Sequence, residues 1–237
     1  MADVGDNINA GRGAWTFGGN VGETFDQHVK KSVPFYEAGH DLICKLSDFF
    51  MGNNSVCYEL GASTGVLTIK LAHYNSHKAG TRFVGIDIEE NMVAQAKRKS
   101  QGLDNVEFVI NDVLLHEYDP ADLIVAYYTV QFIRPSLRQN LFNLVYEKLK
   151  WGGGFIMFEK IRGPDARFQD ILTALYMDYK MDQGFDSSEI VSKSKSLRGV
   201  LEPFSTQGNL DLMKRAGFVD YMTIMKYVCF EGFLAIK

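Results

Sequence analysis

A chain of 237 residues has room for one α/β domain with some decoration. With 46% apolar and 23% charged residues, it has the balance of a folded globular protein, which excludes a disordered or low-complexity chain. A net charge of −4 gives no reason to expect grip on a phosphate backbone, so no nucleic-acid partner is expected.

The stretch through Gly22 holds six glycines, two acids and no apolar run. It reads as irregular rather than as a signal peptide, with Trp15 and Phe17 available to dock it. Helices are expected at Phe25–Lys31 and Tyr36–Phe50, separated by Ser32-Val33-Pro34, because proline cannot continue the first of them. From Val56 a rhythm sets in. Short apolar runs at Val56–Leu60, Phe83–Ile86, Val106–Ile110, Leu123–Ala126 and Phe155–Phe158 read as strands. Leu67–Tyr74, Asn91–Ser100 and Leu137–Leu149 read as intervening helices. Such alternation predicts a parallel sheet covered by helices on both faces, with right-handed crossovers. After Glu159 two helical segments, Asp165–Gln183 and Ser187–Leu201, have no strand between them. A helix at Leu210–Arg215, capped by Gly217, then leads to two closely spaced runs, Tyr221–Tyr227 and Phe230–Ile236. So short a connection requires antiparallel pairing.

The fold class is therefore α/β, with seven mostly parallel strands, a C-terminal antiparallel hairpin and a helical cap; a parallel sheet closed by such a hairpin resembles the Rossmann-like architecture of class I S-adenosylmethionine-dependent methyltransferases. The organisation expected is an N-terminal loop and helices covering the cofactor (1–52), a Rossmann-like core (53–160), a cap or acceptor insertion (161–205), and a helix and hairpin completing the core (206–237). Cys44, Cys57 and Cys229 form no C-x-x-C pair. Neither a disulfide framework nor a metal site is expected, and a reducing, cytoplasmic setting is. No run approaches the roughly 18 apolar residues of a membrane span.

The main chemical signal is Val56-Cys57-Tyr58-Glu59-Leu60-Gly61-Ala62-Ser63-Thr64-Gly65, a strand, a small-residue turn and a helix start. Its glycines allow a sharp turn and let a ligand approach main-chain N–H groups. Three enzyme classes compete for it. Gly61-x-Ser63-x-Gly65 matches a hydrolase nucleophile elbow, but that class needs a histidine late in the chain. No histidine follows His116, so Ser63 has no base. A nicotinamide dehydrogenase wants G-x-G-x-x-G, which the loop does not supply. Tyr176-x-x-x-Lys180 imitates a dehydrogenase pair, yet Tyr146-x-x-x-Lys150 has the same spacing, so residues one helical turn apart are the plainer explanation and the dehydrogenase stays a distant alternative. The third class binds S-adenosylmethionine (SAM). Asp87 at the end of the second strand is placed to accept ribose hydroxyls, and Asp112 after the third strand adds an acid beside the adenine. Glu59, Gly61, Ser63, Gly65, Asp87, Ile88, Met92, Asn111, Asp112 and Val113 are the resulting cofactor candidates, all near the carboxyl ends of the strands where open α/β sheets bind ligands.

Several motifs carry a family resemblance running almost end to end: Trp15-Thr16-Phe17, Ser32-Val33-Pro34 with Tyr36, the Gly61-x-Ser63-x-Gly65 loop, Thr129-Val130-Gln131-Phe132-Ile133, Pro135, Arg138-Gln139, Gly152-Gly153-Gly154 and Glu159-Lys160. The chain resembles the carboxy-S-adenosylmethionine synthase family, whose product serves tRNA wobble-uridine modification. The resemblance implies that Tyr36 lies against the methionine end of SAM, Asp87 against the ribose, Asp112 and Val113 around the adenine, and Tyr128 with Thr129 on the far side. It also implies a homodimer. Two positions depart from the family: Ser194 stands where its members carry an arginine for the extra carboxylate, and Tyr127 where they carry an asparagine. A flanking lysine is a point charge and does not reproduce a bidentate guanidinium.

The departures favour methyl transfer to a small-molecule acceptor, giving S-adenosylhomocysteine. Carboxy-SAM synthesis from SAM and prephenate is the first alternative, and a non-catalytic SAM sensor or partner subunit the second. The tyrosines and phenylalanines of 161–205 (Phe168, Tyr176, Tyr179, Phe185, Phe204), interspersed with Arg162, Arg167 and Arg198, suit an aromatic or anionic acceptor, or else form the core of the cap. His28, Glu159 and Tyr128 are the candidate catalytic groups, although His28 also reads as a residue of a solvated helix face. Lys193, Lys195 and Arg198 read as exposed helical charges.

Overall fold

Residues 2–3, 9–10, 13 and 21–237 are described by the computed structural model; Trp15, Thr16 and Phe17 lie outside them. In chain order the elements are β1 (Ala2–Asp3), β2 (Asn9–Ala10), α1 (Val21–Ser32), α2 (Tyr36–Ser47), β3 (Val56–Leu60), α3 (Val66–Tyr74), β4 (Arg82–Asp87), α4 (Glu90–Lys99), β5 (Val106–Ile110), β6 (Ala121–Tyr127), a 3-10 turn (Val130–Phe132), α5 (Pro135–Lys148), β7 (Leu149–Lys160), α6 (Ala166–Asp182), α7 (Ser187–Ser196), α8 (Thr206–Ala216), β8 (Asp220–Tyr227) and β9 (Phe230–Ile236).

Seven strands form one sheet in the order β5-β4-β3-β6-β7-β9-β8. The first five run parallel. β9 enters antiparallel beside β7, and β8 pairs antiparallel with β9 at the edge. The order reverses between β3 and β6, which opens a crevice at their carboxyl ends. Burial explains why the central strands read as continuous apolar runs rather than alternating ones. In β6, Leu123 and Val125 face one layer with Ile43, Leu67, Leu71 and Ile156. Ile124 and Ala126 face the other, with Leu141, Phe142, Val145, Phe155 and Leu212.

Helix ends follow local chemistry. Asp186 and Glu189 form a reciprocal capping box on α7, the Asp165 side chain accepts the Phe168 N–H at the start of α6, and Gly217 closes α8 in the left-handed region. Several expected bounds shift: α2 ends at Ser47 rather than Phe50, and α8 begins at Thr206 rather than Leu210. Leu149 begins β7 instead of ending α5, and the triple glycine lies inside β7, because Gly152 and Gly153 exchange hydrogen bonds with Lys237. Leu197–Leu201 lies beyond the end of α7, which stops at Ser196. The small β1–β2 ribbon pairs antiparallel, and Gly13 N–H donates to Lys195 O (3.0 Å), tying the start of the chain to α7. Among the described residues no helix is long and apolar enough to cross a membrane, and no cluster of metal-ligating side chains occurs.

Candidate functional site

The β3–α3 loop is held in an unusual backbone course. Gly61, Ser63 and Gly65 all have positive φ (72°, 49° and 79°), the left-handed region that glycine enters at little cost. A side chain on Gly61 would lie 2.4 Å from Thr129 Oγ1, and one on Gly65 2.4 Å from the Phe108 ring. The first contact keeps the loop against the end of β6, where the Thr129 hydroxyl donates to Leu60 O (2.7 Å). The second seats α3 against β5 and α4. Ser63, a non-glycine in that region, is pinned by its N–H donating to Asp87 Oδ2 (2.7 Å).

Three acids stand at strand ends beside this loop. Glu59 is buried and accepts from the Thr68 hydroxyl; burial, reinforced by Asp87, pushes its carboxyl up to about 8. Asp87 accepts from the N–H groups of Ser63 and Glu89, and desolvation raises its pKa. Asp112 Oδ1 takes the Leu114 N–H (2.8 Å), while Asn111 Oδ1 takes the Asp112 N–H (2.8 Å). Ile88 is 65% exposed although apolar, and the Ser63 hydroxyl reaches Met92 Sδ at 3.6 Å.

A second wall comes from 127–133. Tyr128 also has positive φ (60°), and its N–H donates to Phe158 O (2.8 Å). The turn behind it is fixed from two sides. Glu159 accepts the N–H groups of Val130 (2.9 Å) and Gln131 (2.8 Å) on separate oxygens. The fully buried Arg138 donates to Ile133 O (2.9 Å) and Gln131 O (3.2 Å) and lies over the Phe204 ring. Burial pushes the Glu159 carboxyl up to about 8, against the pull of those N–H groups and Arg138.

The entry to α2 packs on the same turn. Tyr36 lies beside the rings of Tyr127, Tyr128 and His40, and the Tyr127 hydroxyl donates to Tyr36 O (2.6 Å). Gly39 leaves room for that hydroxyl. His40, its pKa lowered to about 4 by burial, stays neutral.

These walls enclose a cavity of about 1100 Å³. His28, Tyr36, Glu59, Gly61, Ser63, Asp87, Ile88, Met92, Asn111, Asp112, Val113 and Tyr128 all line it. Gly65 and Glu159 do not: Gly65 is packed behind the loop, and Glu159 lies in the core beneath the turn. His28 is buried rather than on a solvated face, with its ring edge against Phe185 and Nε2 3.3 Å from Ser32 Oγ. Ser194 lines the cavity together with Lys193 and Arg198, so the last two stand at its rim rather than on a purely solvated helix face. The cap aromatics divide: Tyr176 faces the cavity, Phe185 backs His28, Phe204 lies under Arg138, and Phe168 is exposed. They form no single core.

Some lining groups escaped sequence reasoning. The Thr64 hydroxyl donates to Asp26 (2.5 Å), which also pairs with Lys99, so α1 is tied to the loop through Asp26, which no motif marks. Tyr176 and Lys180, discounted as a helical-spacing coincidence, lie with Lys160 at the cavity's far side. The spacing was visible; the convergence with Lys160 from β7 was not.

A reversed-order parallel sheet with a C-terminal hairpin, and a left-handed glycine loop facing acids at successive strand ends, make up the class I methyltransferase fold. Residues 58–153 match the family model described as a methyltransferase domain. The chain is 34% identical over 226 residues to the carboxy-S-adenosyl-L-methionine synthase of Staphylococcus epidermidis, covering 94% of this chain and 97% of the relative. It is 35% identical over 222 residues to that of Nautilia profundicola, covering 93% and 94%. Human N-acetylserotonin methyltransferase, solved in complex with SAM, shares the fold with a TM-score of 0.54 at 19% identity, over 77% of this chain and 47% of that one. The chain belongs to the carboxy-S-adenosyl-L-methionine synthase family. It is an enzyme of the SAM-dependent methyltransferase class, and SAM is its cofactor.

Proposed function

We propose that the protein transfers the methyl group of SAM to a small-molecule acceptor that is aromatic, anionic or both. One observation carries this reading: a single cavity joins the glycine loop and acidic strand ends to a region walled by Tyr128, Tyr176, Phe230 and lysines. Ligand sites commonly occupy roughly 300–1,000 Å³, and at about 1100 Å³ this cavity accommodates a second ligand beside a cofactor. The loop fits the cofactor, because the left-handed course through Gly61 and Ser63 turns the chain over the strand ends, where both residues line the cavity with Asp87 and Asp112.

In this reading Asp87 takes the ribose hydroxyls, Asp112 and Asn111 the adenine edge, and Ile88, Met92 and Val113 its faces. Glu59 and Tyr36 stand at the methionine end. When bound, the cofactor supplies an electrophilic sulfonium methyl. The protein's task is to hold the acceptor atom in line with it and to keep water out. Burial holds the Tyr128 phenol protonated at physiological pH, so its hydroxyl orients the acceptor rather than deprotonating it. His28 is the cavity group assigned to receive a proton, at a ring nitrogen, when the acceptor carries one. Glu159 acts through Tyr128: its carboxylate fixes the turn that presents that ring.

Carboxy-SAM synthesis is the second reading, favoured by the 34–35% identity across nearly the whole length of relatives bearing that name. Against it stands Ser194, which lines the cavity at the position read from the family motif as arginine. Native and denaturing mass spectrometry of the purified protein separates the readings. Bound SAM or S-adenosylhomocysteine is the expected result; carboxy-SAM would establish the second reading, and NAD(H) would refute both.

A further inference from the structure

Two lysines reach the cavity from different elements and meet on one ring. Lys160 closes β7 and Lys180 lies in the last turn of α6. Their ammonium nitrogens stand 4.3 Å and 4.5 Å from the centroid of Tyr176. Tyr176 is itself fixed, its hydroxyl donating to Ser32 O (2.9 Å). Lys180 is 8% exposed, and neither ammonium makes an ion pair among the described residues. The two lysines face each other, the Tyr176 ring and the Cys229 thiol, and His28, Glu189 and Lys193 border Lys180 on its other side. Desolvation lowers the pKa of both, and repulsion from Lys160 helps bring Lys180 down to about 8.

Buried ammonium groups without counter-charge are rare because the desolvation goes uncompensated. A cation–π contact with a shared ring recovers part of it, but leaves two positive charges aimed at one space. Of the acids lining the cavity, Glu59, Asp87 and Asp112 sit at the ends of β3, β4 and around β5, whereas this pair lies by Phe230, which packs on both Tyr128 and Tyr176.

We infer that Lys160 and Lys180, braced by the Tyr176 ring, form an anion subsite that binds a carboxylate of the second substrate. The inference rests on the reading of the cavity as a two-ligand site. It assigns the acceptor's charge to named groups on β7 and α6. An aromatic carboxylate fits this setting best, since its ring meets Tyr128 and Phe230 while its charge meets the lysines.

Calorimetric titration of the full chain with benzoate, and with uncharged benzyl alcohol, tests this, with and without saturating S-adenosylhomocysteine. The wild type is expected to prefer benzoate. Lys160→Met and Lys180→Met each weaken benzoate roughly ten- to a hundred-fold while leaving benzyl alcohol and SAM affinity unchanged, and Lys180→Arg retains benzoate. Both methionine variants melt at or above the wild-type temperature, because an apolar chain replaces an unpaired desolvated charge; a purely structural role predicts lower melting and unaltered benzoate binding. No preference for benzoate in the wild type overturns the inference. So does a loss of SAM affinity in the variants as large as the loss of benzoate, which assigns the lysines to the cofactor's own carboxylate. Failure of the wild type to bind SAM or S-adenosylhomocysteine would strike the cofactor reading alone, since benzoate is also scored without either.

Discussion

Gly61→Ala probes the joint between the cofactor loop and the acceptor wall. At φ 72°, alanine pays the left-handed penalty of about 1–2 kcal/mol. Its Cβ would also stand 2.4 Å from Thr129 Oγ1 and 2.5 Å from Cγ2. Thr129 must rotate, giving up its hydrogen bond to Leu60 O, which costs about 1 kcal/mol. The total is about 2–3 kcal/mol, and for a domain of this size that lowers the melting temperature by roughly 4–12 °C. Thr129→Ala keeps only a Cβ, 3.0 Å away, so in that background the cost of Gly61→Ala falls by about 1 kcal/mol, to the conformational part alone. Thermal melts of the four proteins in this double-mutant cycle measure the coupling, and SAM titration measures loop damage. A Gly61→Ala protein melting within about 2 °C of wild type, with the same cost in both backgrounds, would refute the reasoning.

Tyr127→Phe removes the buried hydrogen bond to Tyr36 O and should cost about 1–2 kcal/mol in urea melts. Because that bond anchors the entry to α2, SAM affinity should fall as well; unchanged affinity would mean that Tyr36 holds its place without it. The pH dependence of stability has a definite sign. Glu59 and Glu159 have folded pKa values raised from 4.5 to about 8, so the folded state retains protons that the unfolded chain has released. The stability that these two groups contribute is therefore greatest at the acid end and declines as pH rises from about 4.5 to about 8, by up to about 1.4 kcal/mol per pH unit for each group, while His40, held neutral by burial, runs the other way between about 4 and 6.5. Urea melts at pH 5, 6.5 and 8 should show Glu59→Gln removing its part of that slope and leaving that of Glu159; parallel curves for wild type and variant would contradict it.

Much of the fold was written locally. Strand runs such as Val56–Leu60 and Phe230–Ile236 stand in the structure as read, because strands buried on both faces are apolar over most of their length. Gly217, Asp186 and Asp165 mark helix ends through hydrogen bonds spanning only a few residues. The cofactor wall was legible for the same reason: in a sheet of this topology the residues at strand ends share one edge, so Glu59, Gly61, Asp87 and Asp112 are neighbours once the strands are known.

What spacing could not supply is contact between segments distant in the chain. Glu159 and Lys160 are consecutive at the end of β7, yet strand alternation sends one beneath the 130–131 turn and the other to the Tyr176 ring. His28 gave an ambiguous helical reading, and burial against Phe185 of the cap decided it. Tyr176 and Lys180 were one helical turn apart by any account; packing α6 over the crevice beside β7 made them a cationic pocket with Lys160. Local sequence sets backbone course and capping, whereas charge left unpaired in a cavity is created only when elements converge, and there the tertiary structure had the deciding part.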